Sequence, residues 1–389
     1  MFELVNEYSQ NAVIKVIGVG GGGCNAVESM IRSKIHGAEF LMANTDSQAL
    51  KDRKGATAIQ IGSEITKGLG AGADPEIGRQ AALEAKEELT TAIFGADMLF
   101  IAVGMGGGTG TGAASVIAQI AKDAGILTVA VVTKPYEFEG PKRMKHAQEG
   151  IESLSEWVDS LIVIPNDKLK EVYGDDNSLF DSFENANDVL RGAVKGIAEI
   201  ITIRGHINVD FADVKTVMSG RGKAMMGSGI ASGENRATEA VEKALCSPLL
   251  DDIDLHGASG VLVNITAGDM SLKEFEMIGE KIKDIAAPEA TIIAGCIKEE
   301  ESLDGELRVT LIATGFEAAA HDEVSSIEAV VTDNPNANSS IMKGGIPNMP
   351  IPQTSPTPNY YNTMATEKRP DNEHGENIDI PAFLRQQAD

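Results

Sequence analysis

Twice in its first 112 residues the chain runs from a short apolar stretch into a cluster of glycines and then into a helical pattern. The first stretch, Val13 to Val19, leads into Gly18-Val19-Gly20-Gly21-Gly22-Gly23-Cys24-Asn25. The second, Met98 to Val103, leads into Gly104-Met105-Gly106-Gly107-Gly108-Thr109-Gly110-Thr111-Gly112. Apolar strands alternating with helices build a parallel sheet covered by those helices, and ligands then sit beyond the carboxyl ends of the strands. Further apolar runs at Glu39 to Ala43, Leu127 to Thr133 and Ser160 to Ile164 continue the alternation. The first half therefore reads as α/β, a parallel-sheet Rossmann-like domain over 1–177.

A long helix is expected next, over 178–204. Ser178 is placed to cap it with Asp181 three residues on, and Leu179, Phe183, Ala186, Leu190, Val194, Ile197 and Ile201 recur at helical spacing. A smaller α/β domain follows over 205–317, with strands at Gly260 to Thr266, Thr291 to Ile297 and Leu307 to Thr314 and a helix from Ser271 to Ala286. Seven of the fourteen prolines then fall between Pro335 and Pro370. Such a segment buries too little apolar surface to offset its chain entropy, so 318–376 reads as a disordered linker. The closing stretch, 377–389, carries Ile378-Asp379-Ile380-Pro381-Ala382-Phe383-Leu384-Arg385 and reads as a docking peptide.

Composition excludes several alternatives. A formal charge of −25 without a basic patch argues against nucleic acid as a partner and against direct membrane insertion. No apolar stretch approaches the ~20 residues that a spanning helix needs, and no secretion signal is read at the start. Cys24, Cys246 and Cys296 lie far apart with no metal-ligand spacing. A cytoplasmic protein is expected.

The chemistry resides in the two loops. Glycine lets the backbone approach a phosphate and turn its N–H groups inward, and a helix start adds positive potential. The first loop also matches GxGxxG with Asp46 ending the next strand, so a nicotinamide-dependent oxidoreductase is one reading. The second loop has no role in that reading. Its six glycines and two hydroxyls form a second nest of donors, and a triphosphate can use both loops where a pyrophosphate needs one. GxxxxGK[ST] is absent. Asp210 and Asp213, taken alone, read as a helix N-cap and a first-turn acid.

The run Gly106 to Gly112 matches the signature of the tubulin/FtsZ family of GTPases, and Asn208-Val209-Asp210-Phe211-Ala212-Asp213 is a second specific match. The chain resembles that family from about Ala12 to Phe316 and again over its final peptide. The resemblance implies that Gly21, Gly22, Gly23, Cys24 and Asn25 hold phosphates together with Gly104, Gly107, Gly108, Thr109 and Gly110. Asn44, Thr45, Gly72 and Ala73 would close the pocket. Glu139 and Arg143 would contact ribose and phosphate, Asn166 and Asn187 would read guanine, and Phe183 would lie beneath the base. On the residues alone, those amides suit adenine as well. Two departures stand out: Cys24 puts a thiol near the phosphates, where it invites oxidation, and Asp74 adds a negative charge beside them.

By the same resemblance, Asn208, Asp210 and Asp213 enter the nucleotide pocket of the next subunit and position the attacking water. Hydrolysis would then require a head-to-tail homopolymer. GTP would hold the polymerising state, with Mg²⁺ on its phosphates held largely through water. The filaments would form the division-site ring of bacterial cytokinesis at mid-cell. Ile378 to Arg385 would bind membrane tethers such as FtsA and ZipA, alongside other division regulators. A filament that binds nucleotide without hydrolysing it is the alternative, with Asp210 and Asp213 merely capping.

Overall fold

The apolar runs form strands of one sheet, and the glycine clusters open the helices that follow them. The computed structural model describes residues 12–316 except 52, 175–177, 204, 221, 251–257 and 299–304. The chain divides into two units, Met1–Ser326 and Ile327–Asp389, and every described residue lies in the first. The expected linker and docking peptide therefore lie outside the described residues.

In chain order the elements are β1 (Ile14–Val19), α1 (Gly20–Arg32), β2 (Ala38–Asn44), β3 (Thr57–Gln60), α2 (Ser63–Thr66), α3 (Pro75–Glu84), α4 (Lys86–Ile93) and β4 (Met98–Gly104). There follow α5 (Thr109–Asp123), β5 (Leu127–Lys134), α6 (Pro141–Ser155), β6 (Ser160–Pro165), α7 (Leu169–Tyr173) and α8 (Leu179–Thr202). The remainder is α9 (Phe211–Met218), β7 (Gly222–Ser232), α10 (Arg236–Leu245), β8 (Gly260–Ala267), α11 (Leu272–Ile285), β9 (Thr291–Lys298) and β10 (Glu306–Thr314).

Among the described residues the strands hydrogen-bond in the order β3-β2-β1-β4-β5-β6-β7-β10-β8-β9. The first six are parallel, in the doubly wound order 3-2-1-4-5-6. Strand β7 joins the halves: 222–224 pair parallel with β6, and 225–232 pair antiparallel with β10. Strands β10 and β8 are antiparallel, and β8 and β9 parallel.

The central parallel strands β1, β4, β5 and β6 are apolar on both faces because helices cover both, whereas the edge strand β3 buries only Ile59. Val16, Met98, Phe100, Val129 and Ile162 pack on one side with α1 and α8. Ile17, Leu99, Ile101, Ala130 and Leu161 pack on the other against α3 to α6. Ser178 Oγ accepts the Asp181 N–H at 3.1 Å, the cap expected for α8. The helix also packs on the second half of the sheet, where Asn264 Nδ2 donates to Gly196 O at 3.0 Å. No described helix is long and apolar enough to cross a membrane.

The expected strands appear within about a residue of their positions; β3, β7 and α10 were not anticipated. Strand β7 is Gly-Lys-Ala-Met-Met-Gly-Ser-Gly-Ile-Ala-Ser, a composition that reads as a breaker rather than a strand. Its glycines make room for a helix: a Cβ at Gly227 would lie 2.0 Å from Ala244 O, and one at Gly229 2.1 Å from Ala240 O, both carbonyls of α10.

Helices α3 and α5 approach even more closely, since a Cβ at Gly112 would lie 1.8 Å from Pro75 O. Gly112→Ala is therefore expected to destabilise the protein by about 2–3 kcal/mol through overpacking, visible as a lowered thermal midpoint. An unchanged midpoint would show that the two helices are not in backbone contact.

Candidate functional site

The strand order reverses between β1 and β4, and these strands end level with each other, Val19 opposite Val103. Their two glycine loops therefore start side by side at the sheet's switch point, where open α/β sheets bind ligands. The loops touch backbone to backbone. Gly20 has φ +71°, and a Cβ on it would lie 2.8 Å from Gly110 N; one on Gly23 would lie 2.2 Å from Ala102 O. By contrast, Gly21 and Gly107 have nothing within 4 Å of that position, and both line a common cleft. Thr45 and Thr109 join β2 to the second loop, their hydroxyl oxygens 2.6 Å apart.

Helices α1 and α5 begin at this cleft, and both begin bare. Neither has a side-chain cap, and neither has an acidic residue in its first turn. Of the other helices, α3, α8 and α11 are capped by Asp74, Ser178 and Ser271, each with an acid in the first turn, while α6 starts as bare as α1 and α5. Uncapped first turns leave N–H donors and the positive end of each helix dipole without partners. Two such ends converging on one space form a site for a polyanion.

The cleft holds about 470 Å³ and continues from the loops to α8. Its far wall is built around Tyr136. The Tyr136 N–H donates to Glu139 Oε1 at 2.9 Å, its hydroxyl donates to Ser182 O at 3.0 Å, and its ring meets Phe183 edge-on at 5.7 Å. Glu139 is ion-paired with Arg143 one helical turn on. Phe183 and Asn187 share one face of α8, as their spacing predicts, and Phe183 leaves 41% of its surface exposed. Asn166 is 5% exposed, and its Oδ1 is buried without a partner. A buried orphan acceptor costs roughly 1–3 kcal/mol unless a ligand donor meets it.

Most of the expected binding residues line this cleft: Gly21, Gly22, Asn25, Gly72, Gly104, Gly107, Gly108, Thr109, Gly110, Glu139, Arg143, Asn166, Phe183 and Asn187. Gly23, Asn44 and Thr45 lie buried behind the loops, and Ala73 is exposed at the edge beside Gly72. Cys24 corrects the sequence reading. Its thiol faces Gly18 O and Ala43 O inside the core, fully buried, and burial pushes it up to about 11. The expected oxidation-prone thiol at the phosphates is thus a core side chain, because Cα–Cβ on the first turn of α1 points back toward the sheet. Asp74 is spent on capping, with Oδ1 accepting Glu76 N–H at 2.9 Å. Asp46, the ribose reader of the oxidoreductase reading, instead closes a turn by accepting Gln48 N–H at 2.8 Å.

Asn208, Asp210 and Asp213 are exposed and line no part of the cleft. Asn208 Oδ1 accepts Gly205 N–H at 2.8 Å, which folds the turn after α8. Asp210 occupies the N-cap position of α9, but its side chain makes no capping bond. The capping role that the sequence offers for this carboxylate is therefore not the one it performs. Sequence reasoning missed Met105, Thr133, Pro135, Ala186 and Leu190 in the cleft wall, and Tyr136 buried behind it. Of these, Thr133 and Pro135 carried a signal, because they close a strand whose carboxyl end faces the cleft.

The family model described as Tubulin/FtsZ family, GTPase domain, matches residues 13–174, and FtsZ family, C-terminal domain, matches 222–317. The chain is 54% identical over 391 residues to the cell division protein FtsZ of Wigglesworthia glossinidia brevipalpis, covering all of both chains. It is 59% identical over 317 residues to that of Coxiella burnetii, covering 81% of this chain and 82% of the other. Among solved structures it resembles an empty FtsZ dimer of M. jannaschii, with TM-score 0.76 and 47% identity over 79% of this chain and 89% of that one.

The placement of Cys24 generates a chemical prediction. In the native protein at neutral pH a maleimide should label exposed Cys246 quickly and leave Cys24 untouched until the chain unfolds. An ordinary thiol ionises near 9.0 and this folded one near 11, so its contribution to stability is complete below pH 9 and is lost as pH rises toward 11. Native-state labelling of Cys24 as fast as that of Cys246 would overturn the placement.

Proposed function

The chain belongs to the tubulin/FtsZ family, a GTPase and cytoskeletal cell-division protein that self-assembles, and from that premise we propose how its residues divide the work. The cleft binds GTP and GDP. The N–H groups at the starts of α1 and α5 hold the phosphates, Glu139 and Arg143 hold the ribose side, and Phe183 lies under the base. Asn166 and Asn187 read guanine, and the unpartnered Asn166 Oδ1 accepts from its N–H edge. Guanine is favoured because its Watson–Crick edge offers two adjacent donors where adenine offers one.

Hydrolysis takes place between two copies. The observation that carries this is the lack, among the described residues, of a free carboxylate in the cleft: Glu139 is the one acidic lining residue described, and it is occupied by Tyr136 N–H and Arg143. Asp210 and Asp213 cannot supply the need within the same chain. From Asn187 to the end of α8 at Thr202 the axis runs roughly 22 Å, and Asp210 lies beyond that end. A second copy, stacked head to tail, brings them to the phosphates. There the bare Asp210 carboxylate and Asp213 orient the attacking water, with Asn208 shaping the turn that presents them. Such a contact repeats without closing, so it builds filaments.

Mg²⁺ fits as an ion carried on the phosphates and by water. No described group of three or more His, Cys, Asp or Glu side chains could hold it, and it would neutralise charge between the phosphates. The filament acts in the cytoplasm at the mid-cell ring. Tethers such as FtsA and ZipA engage Ile378 to Arg385, which lie outside the described residues.

Two measurements test this reading. GTP turnover per subunit should rise with protein concentration, and Asp213→Asn mixed into wild type should poison turnover while still binding GDP. Turnover independent of dilution and indifferent to the variant would sink the shared site. Separately, Asn166→Leu should weaken GDP binding about tenfold, near 1.4 kcal/mol, and narrow the preference for GTP over ATP. Unchanged preference would remove Asn166 from base reading.

A further inference from the structure

Beside the segment that leads to Asp210 lies a second groove of about 500 Å³, walled by His206, Ile207, Met270, Leu272, Phe275 and Cys296 among others. Two sulfurs meet in its wall. Cys296 Sγ stands 3.5 Å from Met270 Sδ, and both side chains are half-buried. They come together because Cys296 is on β9 and Met270 is in the turn between β8, its neighbour in the sheet, and α11. His206 joins the same wall because the chain after α8 runs beside β9. The His206 N–H donates to Cys296 O at 3.0 Å, and Cys296 N–H donates to Ile207 O at 3.2 Å.

A thiol, a thioether and an imidazole around one groove are a soft donor set. Thiolate and thioether ligands select Cu(I)-like ions over Mg²⁺ or Ca²⁺, which demand oxygen. Monovalent d¹⁰ ions accept two ligands, so a pair of sulfurs suffices for them where a divalent ion needs a larger set. We propose that Cys296 and Met270 form a binding site for a soft monovalent metal ion of the Cu(I) or Ag(I) class, with His206 available as a third donor. On binding, the Cys296 S–H bond breaks and its proton goes to solvent. A metal–thiolate bond forms, and Met270 Sδ donates a lone pair; no electron is transferred. The sulfurs must separate slightly to flank an ion, which the unbranched Met270 side chain permits. Burial pushes the Cys296 thiol up, so the free side chain stays protonated and ion affinity rises with pH.

The site has a consequence for hydrolysis, which rests on the role proposed for Asp210. Cys296 is the residue to which the backbone of 206–207 is hydrogen-bonded, and a Cβ at Gly205 would lie 2.2 Å from Cys296 O. An ion that parts Cys296 from Met270 shifts the support of the turn carrying Asn208 and Asp210. It slows assembly-dependent turnover without touching the nucleotide cleft.

The test titrates Cu(I), kept reduced without oxygen, into the full-length chain against a chromophoric Cu(I) chelator. Wild type and Cys246→Ser should each take up one tightly held ion. Cys296→Ser should lose at least about 100-fold in affinity and Met270→Leu about tenfold, while all four proteins bind GDP equally. X-ray absorption should count two sulfurs per copper in wild type and one in Met270→Leu. Wild-type affinity in Cys296→Ser, or a single sulfur in wild type, overturns the site. Copper bound at the pair with turnover unchanged overturns its link to the Asp210 turn. The Asp213→Asn mixing experiment needs no metal, so failure of the shared-site reading is seen separately.

Discussion

The contact between two glycine loops at the ends of β1 and β4 is the constraint on which the rest of this structure depends. With Gly20 against the backbone of Gly110 and Gly23 against Ala102 O, no side chain can stand between the loops. That contact brings the first turns of α1 and α5 to one point, bare of caps and of acidic residues. A Ser, Thr, Asp or Asn in place of Val19 at the N-cap of α1 would stabilise that helix by about 1 kcal/mol, and the N-cap of α5 is only a glycine, Gly108. The same chain uses that device at Asp74, Ser178 and Ser271. Its omission at the two helices that face the cleft leaves donors that a chain of phosphates satisfies. The apo protein gives up local stability at the site where the ligand restores it.

The second determinant is the length of α8. The helix borders the cleft through Phe183, Ala186, Asn187 and Leu190 and ends at Thr202, where the turn to Asp210 begins. Because it packs on both halves of the sheet, through Val194 and Ile197 on one side and Gly196 toward Asn264 on the other, it is a rigid spacer. In the proposed mechanism a spacer of this length separates binding groups from water-orienting groups in one molecule. It thereby makes assembly a condition of chemistry. The nucleotide's state and the filament's state become one variable.

The sequence made the phosphate loops legible because strand, glycines and helix succeed one another locally, and the physics of anion binding is itself local. Helical spacing put Phe183 and Asn187 on one face of α8, though only the family resemblance singled them out for the site, and Ser178 was legible through its capping pattern. What could not be read depended on partners distant in sequence. Gly227 and Gly229 belong to a strand whose glycines answer to Ala244 and Ala240, and nothing near them announces that helix. The direction of the Cys24 side chain follows from how α1 lies on the sheet. Tyr136 became visible as the support behind the site's wall only through its hydrogen bond to Ser182 and ring contact with Phe183, more than forty residues on. Asp210 shows the opposite case: local pattern gave it a cap's position, and the folded chain leaves its carboxylate without a capping bond.

Net charge sharpens the consequence of this layout. A chain of formal charge −25 repels both a triphosphate and another copy of itself. At physiological salt that repulsion is screened beyond about 8 Å, so what decides binding is the field inside the cleft. There two helix ends and Arg143 oppose the general charge. In the proposed filament the same few ångströms also receive Asp210 and Asp213 from the next copy. Triphosphate and carboxylates then face each other, and cations on the phosphates must offset their repulsion. Hydrolysis followed by phosphate release removes one of the anionic groups that the helix ends and cations hold in place. In the proposed filament the junction would then lose a phosphate through which helix ends and cations bridge two acidic surfaces.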